Sequence, residues 1–247
     1  MDKSFPELKL NIDTSYYNSL DIKGFSQMLK NPSYCYKFYW LEGIVNLISE
    51  GVEQTTLDVI INEMICSAWY PVQEFHVHLS GVQEDGKVRD ALERAILTLS
   101  KLSNLPSSAS KQEIINEIIK FNTELFAAKE QLTHMVPYRA LASFFDNAGQ
   151  RVDWNSTKRL TPFIEQFSRE ISALPYTFGP SSKLKKEVYF HSDWIRLIQD
   201  NTSSILRWIQ HVKVKWLQDN NPDVPGIVYE LAPVDEKKRK LGRVRKL

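Results

Sequence analysis

Apolar residues return at three- and four-residue intervals along most of this chain, and glycine, which readily interrupts such a pattern, occurs only 9 times in 247 positions. That spacing gathers the apolar side chains on one face of a helix, so it predicts a mainly α architecture with few strands. Phe38, Leu41, Val45 and Ile48 mark a helix over about residues 34–50, entered through Asn31-Pro32-Ser33 and stopped by Gly51. Thr55 or Thr56 can cap a second helix over 57–70, with Ile60, Met64, Ile65 and Ala68 as its buried stripe and Pro71 as its end. The two should pack as an antiparallel pair.

Between Val72 and Ser80 the period changes, because Phe75, Val77 and Leu79 alternate with His76 and His78. A period of two predicts a strand, the one convincing strand signal in the chain. A helix over about 87–103 should follow. Ser110-Lys111-Gln112-Glu113 then reads as a capping box opening a long helix to about Gln131. Pro137 begins a short helical piece bearing Tyr138, Leu141, Phe144 and Phe145, and one more helix is expected near 161–171 within a looser region. Ser192 can cap a last helix reaching about Asp219, ended by Asn220-Asn221-Pro222. No repeat of 20 to 50 residues is present.

Length divided by ~150 residues per domain suggests one large domain, or one domain with an extension. Charge divides the chain more sharply. Residues 183–247 carry 14 Lys and Arg against 8 Asp and Glu, a net of +6, which leaves residues 1–182 at 17 minus 22, or −5. The expected organisation is therefore a helical body over 1–182 and a basic C-terminal helix plus tail over 183–247. Such a balance rules out a uniformly basic, histone-like chain and an acidic disordered one. Neither an ~18-residue apolar run nor an apolar signal region occurs, so a cytoplasmic protein without a membrane partner is expected. Cys35 and Cys66 sit in apolar helical runs and read as reduced core residues.

Motifs for chemistry are mostly negative. Gly81-Val82-Gln83-Glu84-Asp85-Gly86-Lys87-Val88 has the outline of a phosphate-cradling loop, but Val88 stands where a hydroxyl should hold Mg²⁺, and Glu84 and Asp85 would repel phosphate. On a strand, His76 and His78 would share one face with Glu74, without a further ligand set to complete a metal site. Glu7-Leu8-Lys9 and Glu236-Lys237-Lys238 match half of a metal-nuclease motif, a match of three residues that chance supplies. Arg207 and His211, four apart, miss the spacing of a metal-independent ribonuclease, and the five histidines lack the preceding acid of a ββα-metal site. No catalytic residue and no metal ligand is assigned. Trp194, Trp208 and Trp216 fall roughly on one helical face with Ile205, Ile209 and Val212, as core packing requires.

Three segments nevertheless fit a larger pattern. Ser33-Tyr34-Cys35-Tyr36-Lys37-Phe38-Tyr39-Trp40, Met64-Ile65-Cys66-Ser67-Ala68-Trp69-Tyr70-Pro71-Val72 and Met135-Val136-Pro137-Tyr138-Arg139 together resemble the N-terminal region of a bacterial family of HNH endonuclease domain proteins. Residues 208–231, with Asn221-Pro222-Asp223-Val224-Pro225, resemble the stretch just upstream of that family's catalytic part. The resemblance covers about residues 31–247. It implies the helical accessory region of an HNH-type nuclease, a truncated or split member whose metal-binding and base histidines would follow Leu247. By analogy, that further part would bind one divalent cation, use a His as general base and cleave DNA, in defence against foreign DNA.

These readings converge on DNA as the expected partner. Lys213 and Lys215 on the last helix, with Lys237, Lys238, Arg239, Lys240, Arg243, Arg245 and Lys246 in the tail, are the expected phosphate contacts. The rival is a protein-interaction or oligomerisation module, anchored by Tyr34, Tyr36, Tyr39 and Trp40 if these are exposed.

Overall fold

Three long helices and a three-stranded sheet organise the molecule, a computed structural model that describes residues 8, 10, 14–30, 35–81, 88–149, 152, 157–170 and 174–224. In chain order the helices are α1 (Thr14–Ser19), α2 (Ile22–Gln27), α3 (Tyr36–Ser49), α4 (Leu57–Phe75), α5 (Ala91–Leu102), α6 (Lys111–Lys120), α7 (Asn122–Thr133), α8 (Val136–Arg139), α9 (Ala142–Asn147), α10 (Thr157–Glu170) and α11 (Ser192–Asn220). The strands are β1 (Gln54–Thr56), β2 (Tyr176–Phe178) and β3 (Glu187–Phe190). The expected mainly α fold with a short β element is observed.

Helix α3 is the centre. Its residues from Phe38 to Leu41 are all buried, which a helix achieves only between partners on opposite sides, and α3 packs against both α4 and α11. The polar atoms of Trp40, Tyr176 and Trp69 find acceptors. Trp40 Nε1 donates to Tyr176 Oη at 3.1 Å, and that hydroxyl donates to the Pro137 carbonyl at 2.6 Å, so one bonded chain ties α3, β2 and α8. Trp69 Nε1 donates to the Pro106 carbonyl at 3.0 Å. Phe25 stacks on Trp194 with centroids 4.9 Å apart, fixing α2 against α11.

Helix starts follow side-chain chemistry. Thr56 caps α4 through the Val59 amide, and Asp90 caps α5 through the Leu92 and Glu93 amides. The expected capping box at Ser110 and Glu113 forms as read. Gly51 closes α3 with φ +86°, donating its N–H to the Ile48 carbonyl. Asn31, Ser33 and Tyr34 lie outside the described residues, and His191 rather than Ser192 caps α11. The expected long helix to Gln131 is two, α6 and α7, with the break at Phe121 (φ −104°, ψ 26°).

The strand expected over 72–80 is absent, and Pro71 does not end α4. Val72 continues the buried stripe of Ile61, Ile65 and Ala68, so the helical period overrides the proline and α4 runs on to Phe75. His76 then terminates it in the left-handed conformation, φ 54°, with its N–H on the Pro71 carbonyl. The alternation itself is real, since Val77 and Leu79 are buried while His76 is exposed. It belongs to an extended loop whose backbone is satisfied by side chains.

The sheet arises elsewhere. Its order is β1-β3-β2, antiparallel throughout, with Thr55 opposite Val188 and Thr177 opposite Tyr189. Val188 and Phe190 face inward from the middle strand. The sheet therefore stands at the start of both α4 and α11 and holds them in register. Helix α11, which opens the segment expected to be basic, packs on α3 with Trp194, Leu197, Ile198, Ile205 and Ile209 in the core.

Candidate phosphate-binding cleft

The residues expected to meet phosphate divide into three groups. Lys213 is turned inward, a correction to its expected place on the exposed basic side of the helix. Ile205, Ile209 and position 213 recur at four-residue steps, so the helical period places this lysine on the buried stripe. Its ammonium lies 2.7 Å from Glu42 Oε2 with only 4% of the side chain exposed, and it faces the Tyr39 ring at 4.6 Å. Lys215 is exposed and pairs with Asp219 Oδ2 at 3.1 Å. Lys237, Lys238, Arg239, Lys240, Arg243, Arg245 and Lys246 lie outside the described residues.

The rival's aromatic anchors are also inside. Tyr39 and Trp40 are fully buried and Tyr36 nearly so, while Tyr34 is not described. Cys35 and Cys66 are free thiols, and burial pushes the Cys66 pKa up to about 12. His78, expected to share a strand face with His76, instead bonds the buried Glu93 through Nδ1 at 2.9 Å. Among the described residues no group of three or more His, Cys, Asp or Glu is placed to hold a metal.

A cleft lined by two arginines and a histidine does form, from residues not singled out for phosphate contact in the sequence. Arg89 precedes α5, His134 follows α7, and Arg139 ends α8; packing of α5 on α7 and of α7 on α8 brings them around one cleft of about 460 Å³. Apolar wall is supplied by Leu132, Met135 and Val136. The one carboxylate among the described residues lining it, Asp90, is committed to its own helix, with Oδ1 accepting from the Leu92 amide at 2.8 Å and the Glu93 amide at 3.0 Å. Burial raises the Asp90 pKa despite those bonds. Beside the cleft, burial first and the Arg139 guanidinium second lower the Lys37 pKa, with Asp146 acting the other way.

Helix α11 ends against this region. Asn221, itself buried, accepts from the His78 amide at 2.8 Å and donates to the His78 carbonyl at 3.1 Å. Glu93 takes the next step, holding the His78 ring and the Leu79 amide at 2.8 Å while its own amide sits on Asp90. The cleft and the last described turn of the chain are thus joined through four residues. No helix among the described residues is long and apolar enough to cross a membrane.

No family model, curated protein or solved structure matches the chain.

Proposed function

We propose that this chain is a DNA-directed accessory region, of the kind found ahead of the catalytic part in HNH-type endonucleases that act against foreign DNA. Its body is a scaffold, and its contribution to the reaction is to hold the phosphate backbone. One observation carries the reading: Arg89, His134 and Arg139 line one cleft, where the one carboxylate among the described lining residues, Asp90, caps a helix. Guanidinium groups present forked donors that suit phosphate oxygens, and a concave wall concentrates their field. Lys215 and the cluster from Lys237 to Lys246 add non-specific phosphate contacts in this reading, whereas Lys213 is a structural cation.

The test is duplex affinity measured across salt concentration for the intact chain, for Arg89→Gln with Arg139→Gln, and for a version ending at Pro233. Each phosphate contact removed should flatten the log–log salt slope by about 0.9 on duplex DNA. Equal and weak binding by all three would dispose of the reading.

A further inference from the structure

We propose that the groove between the outer face of the sheet and the first two turns of α11 takes one unpaired nucleotide of single-stranded DNA, with its base on the Tyr189 ring and its phosphate on Arg196. The inference goes beyond the duplex reading above. It uses none of the residues of the Arg89 cleft and shares with that reading only the class of partner.

The sheet presents the ring. On the middle strand β3, Val188 and Phe190 are buried, so the period of two turns Tyr189 to the other side. Register sets Gln54 of β1 and Thr177 of β2 directly opposite it, which makes one row across the outer face with the aromatic residue in the middle. Tyr189 is 40% exposed. Among the described residues its ring meets no other ring or cation, and its hydroxyl has no hydrogen-bond partner. The core therefore does not account for an aromatic side chain here. An accessible ring on a sheet is a stacking platform for a base, and only an unpaired base exposes its flat face to one.

Helix α11 supplies the other side. Ser192, Ile195, Arg196 and Gln199 recur at three- and four-residue steps, so one stripe of the helix borders the row and closes a groove of about 480 Å³. That volume falls within the roughly 300–1,000 Å³ of small-ligand sites, room for one nucleotide.

Charge fits the same occupant. Arg196 is exposed and forms no ion pair among the described residues. The acids one turn to either side of it, Asp193 and Asp200, act instead on Tyr16, whose hydroxyl donates to Asp200 Oδ2 at 3.5 Å. One guanidinium matches the single charge of an internal phosphodiester. Glu53 lines the same groove, exposed and without an ion pair among the described residues. Its carboxylate repels phosphate but accepts from the exocyclic amino group of a base. Gln199 donates Nε2 to the Ile48 carbonyl at 3.2 Å, which leaves its Oε1 as a further acceptor. Acceptors favour cytosine, which carries an amino group at the position where thymine carries a carbonyl oxygen.

Fluorescence anisotropy on the intact chain would compare oligo(dC), oligo(dT) of equal length and a duplex. Oligo(dC) should bind several-fold more tightly than oligo(dT). Tyr189→Ala should weaken oligo(dC) binding by about fivefold or more, Tyr189→Phe should retain it, and neither should alter duplex affinity. Arg196→Gln should flatten the log–log salt slope for the single strand by about 0.7. Glu53→Gln should close the gap between the two oligonucleotides. All three positions are exposed, so the melting temperature should hold. Equal oligo(dC) binding by the unaltered chain, Tyr189→Ala and Arg196→Gln overturns the proposal and leaves the duplex reading standing. Tyr189-dependent binding of oligo(dC) without duplex binding supports the groove and overturns that reading. A change of mass in solution on Tyr189→Ala, with oligonucleotide affinity unmoved, assigns the face to a second copy of the chain and overturns the proposal. Absence of binding to every probe overturns both.

Discussion

The Lys213 ammonium lies 2.7 Å from Glu42 Oε2 and faces the Tyr39 ring at 4.6 Å, an ion pair inside the body that fastens α11 to α3. Its attraction operates where water is largely excluded, so each charge depends on the other. Glu42→Gln should therefore destabilise the fold by about 3 kcal/mol, because it strands a buried cation. Adding Lys213→Met should recover most of that loss. Chemical denaturation of the two single variants and the pair measures the coupling; independent, additive losses would contradict it.

Tyr39 makes the opposite case. Its ring receives the lysine, but its buried hydroxyl has no hydrogen-bond partner among the described residues. Burial accordingly raises its pKa well above the ordinary value. Tyr39→Phe keeps the ring and removes the stranded hydroxyl, so stability should hold or rise, by up to about 1 kcal/mol. A clear drop in melting temperature would show that the hydroxyl is satisfied.

Asp90 links fold to cleft. Asparagine retains the capping oxygen, so Asp90→Asn should change stability by less than about 0.5 kcal/mol, whereas Asp90→Ala should cost roughly 1 kcal/mol. Removing the carboxylate also removes the one negative group among the described residues lining the cleft, and Asp90→Asn should bind duplex DNA a few-fold more tightly (roughly 1 kcal/mol or less). Unchanged or weaker binding would place the ligand elsewhere.

Acid–base linkage offers a further check at Glu63. Burial raises its carboxyl pKa, and the Lys111 ammonium at 2.7 Å offsets this only in part. A raised folded-state pKa means that the folded chain holds the proton longer than the unfolded one. Ionising Glu63 is then a penalty, absent below the ordinary value of 4.5 and incurred as pH rises through the raised value. Lys111, whose pKa is raised by bonds to Glu63 and Glu50 that outweigh its burial, gives stability that is lost only at the alkaline end. Between about pH 4 and 7 the stability of Glu63→Gln should therefore improve relative to the unaltered chain, as followed by denaturation across that range. A relative loss over the same range would reverse the assignment.

Helical periodicity made much of this fold legible. The stripe through α3, the capping box of α6 and the Thr56 cap are local features, decided within one or two turns, and each forms as the residues suggest. What failed was non-local. Alternation at Phe75, Val77 and Leu79 has the burial pattern of a strand, yet its backbone partners are Cys35, Glu93 and Asn221, remote positions that no local pattern signals. Conversely, β3 is only four residues long, too short for Val188 and Phe190 to stand out by period. Lys213 could have been placed correctly by extending the Ile205–Ile209 stripe one step, since position carried more weight there than residue type. The cleft had no comparable signal. Arg89 and Arg139 are 50 positions apart, and only the packing of α5, α7 and α8 makes them neighbours.

Photo-crosslinking of a DNA duplex to the intact chain, followed by peptide mapping, tests most directly whether this cleft meets nucleic acid. Crosslinks should fall on peptides containing Tyr36 or the His134–Met135 pair, and should fade in Arg89→Gln. Crosslinks confined to other faces of the molecule, unaffected by that substitution, would contradict the account.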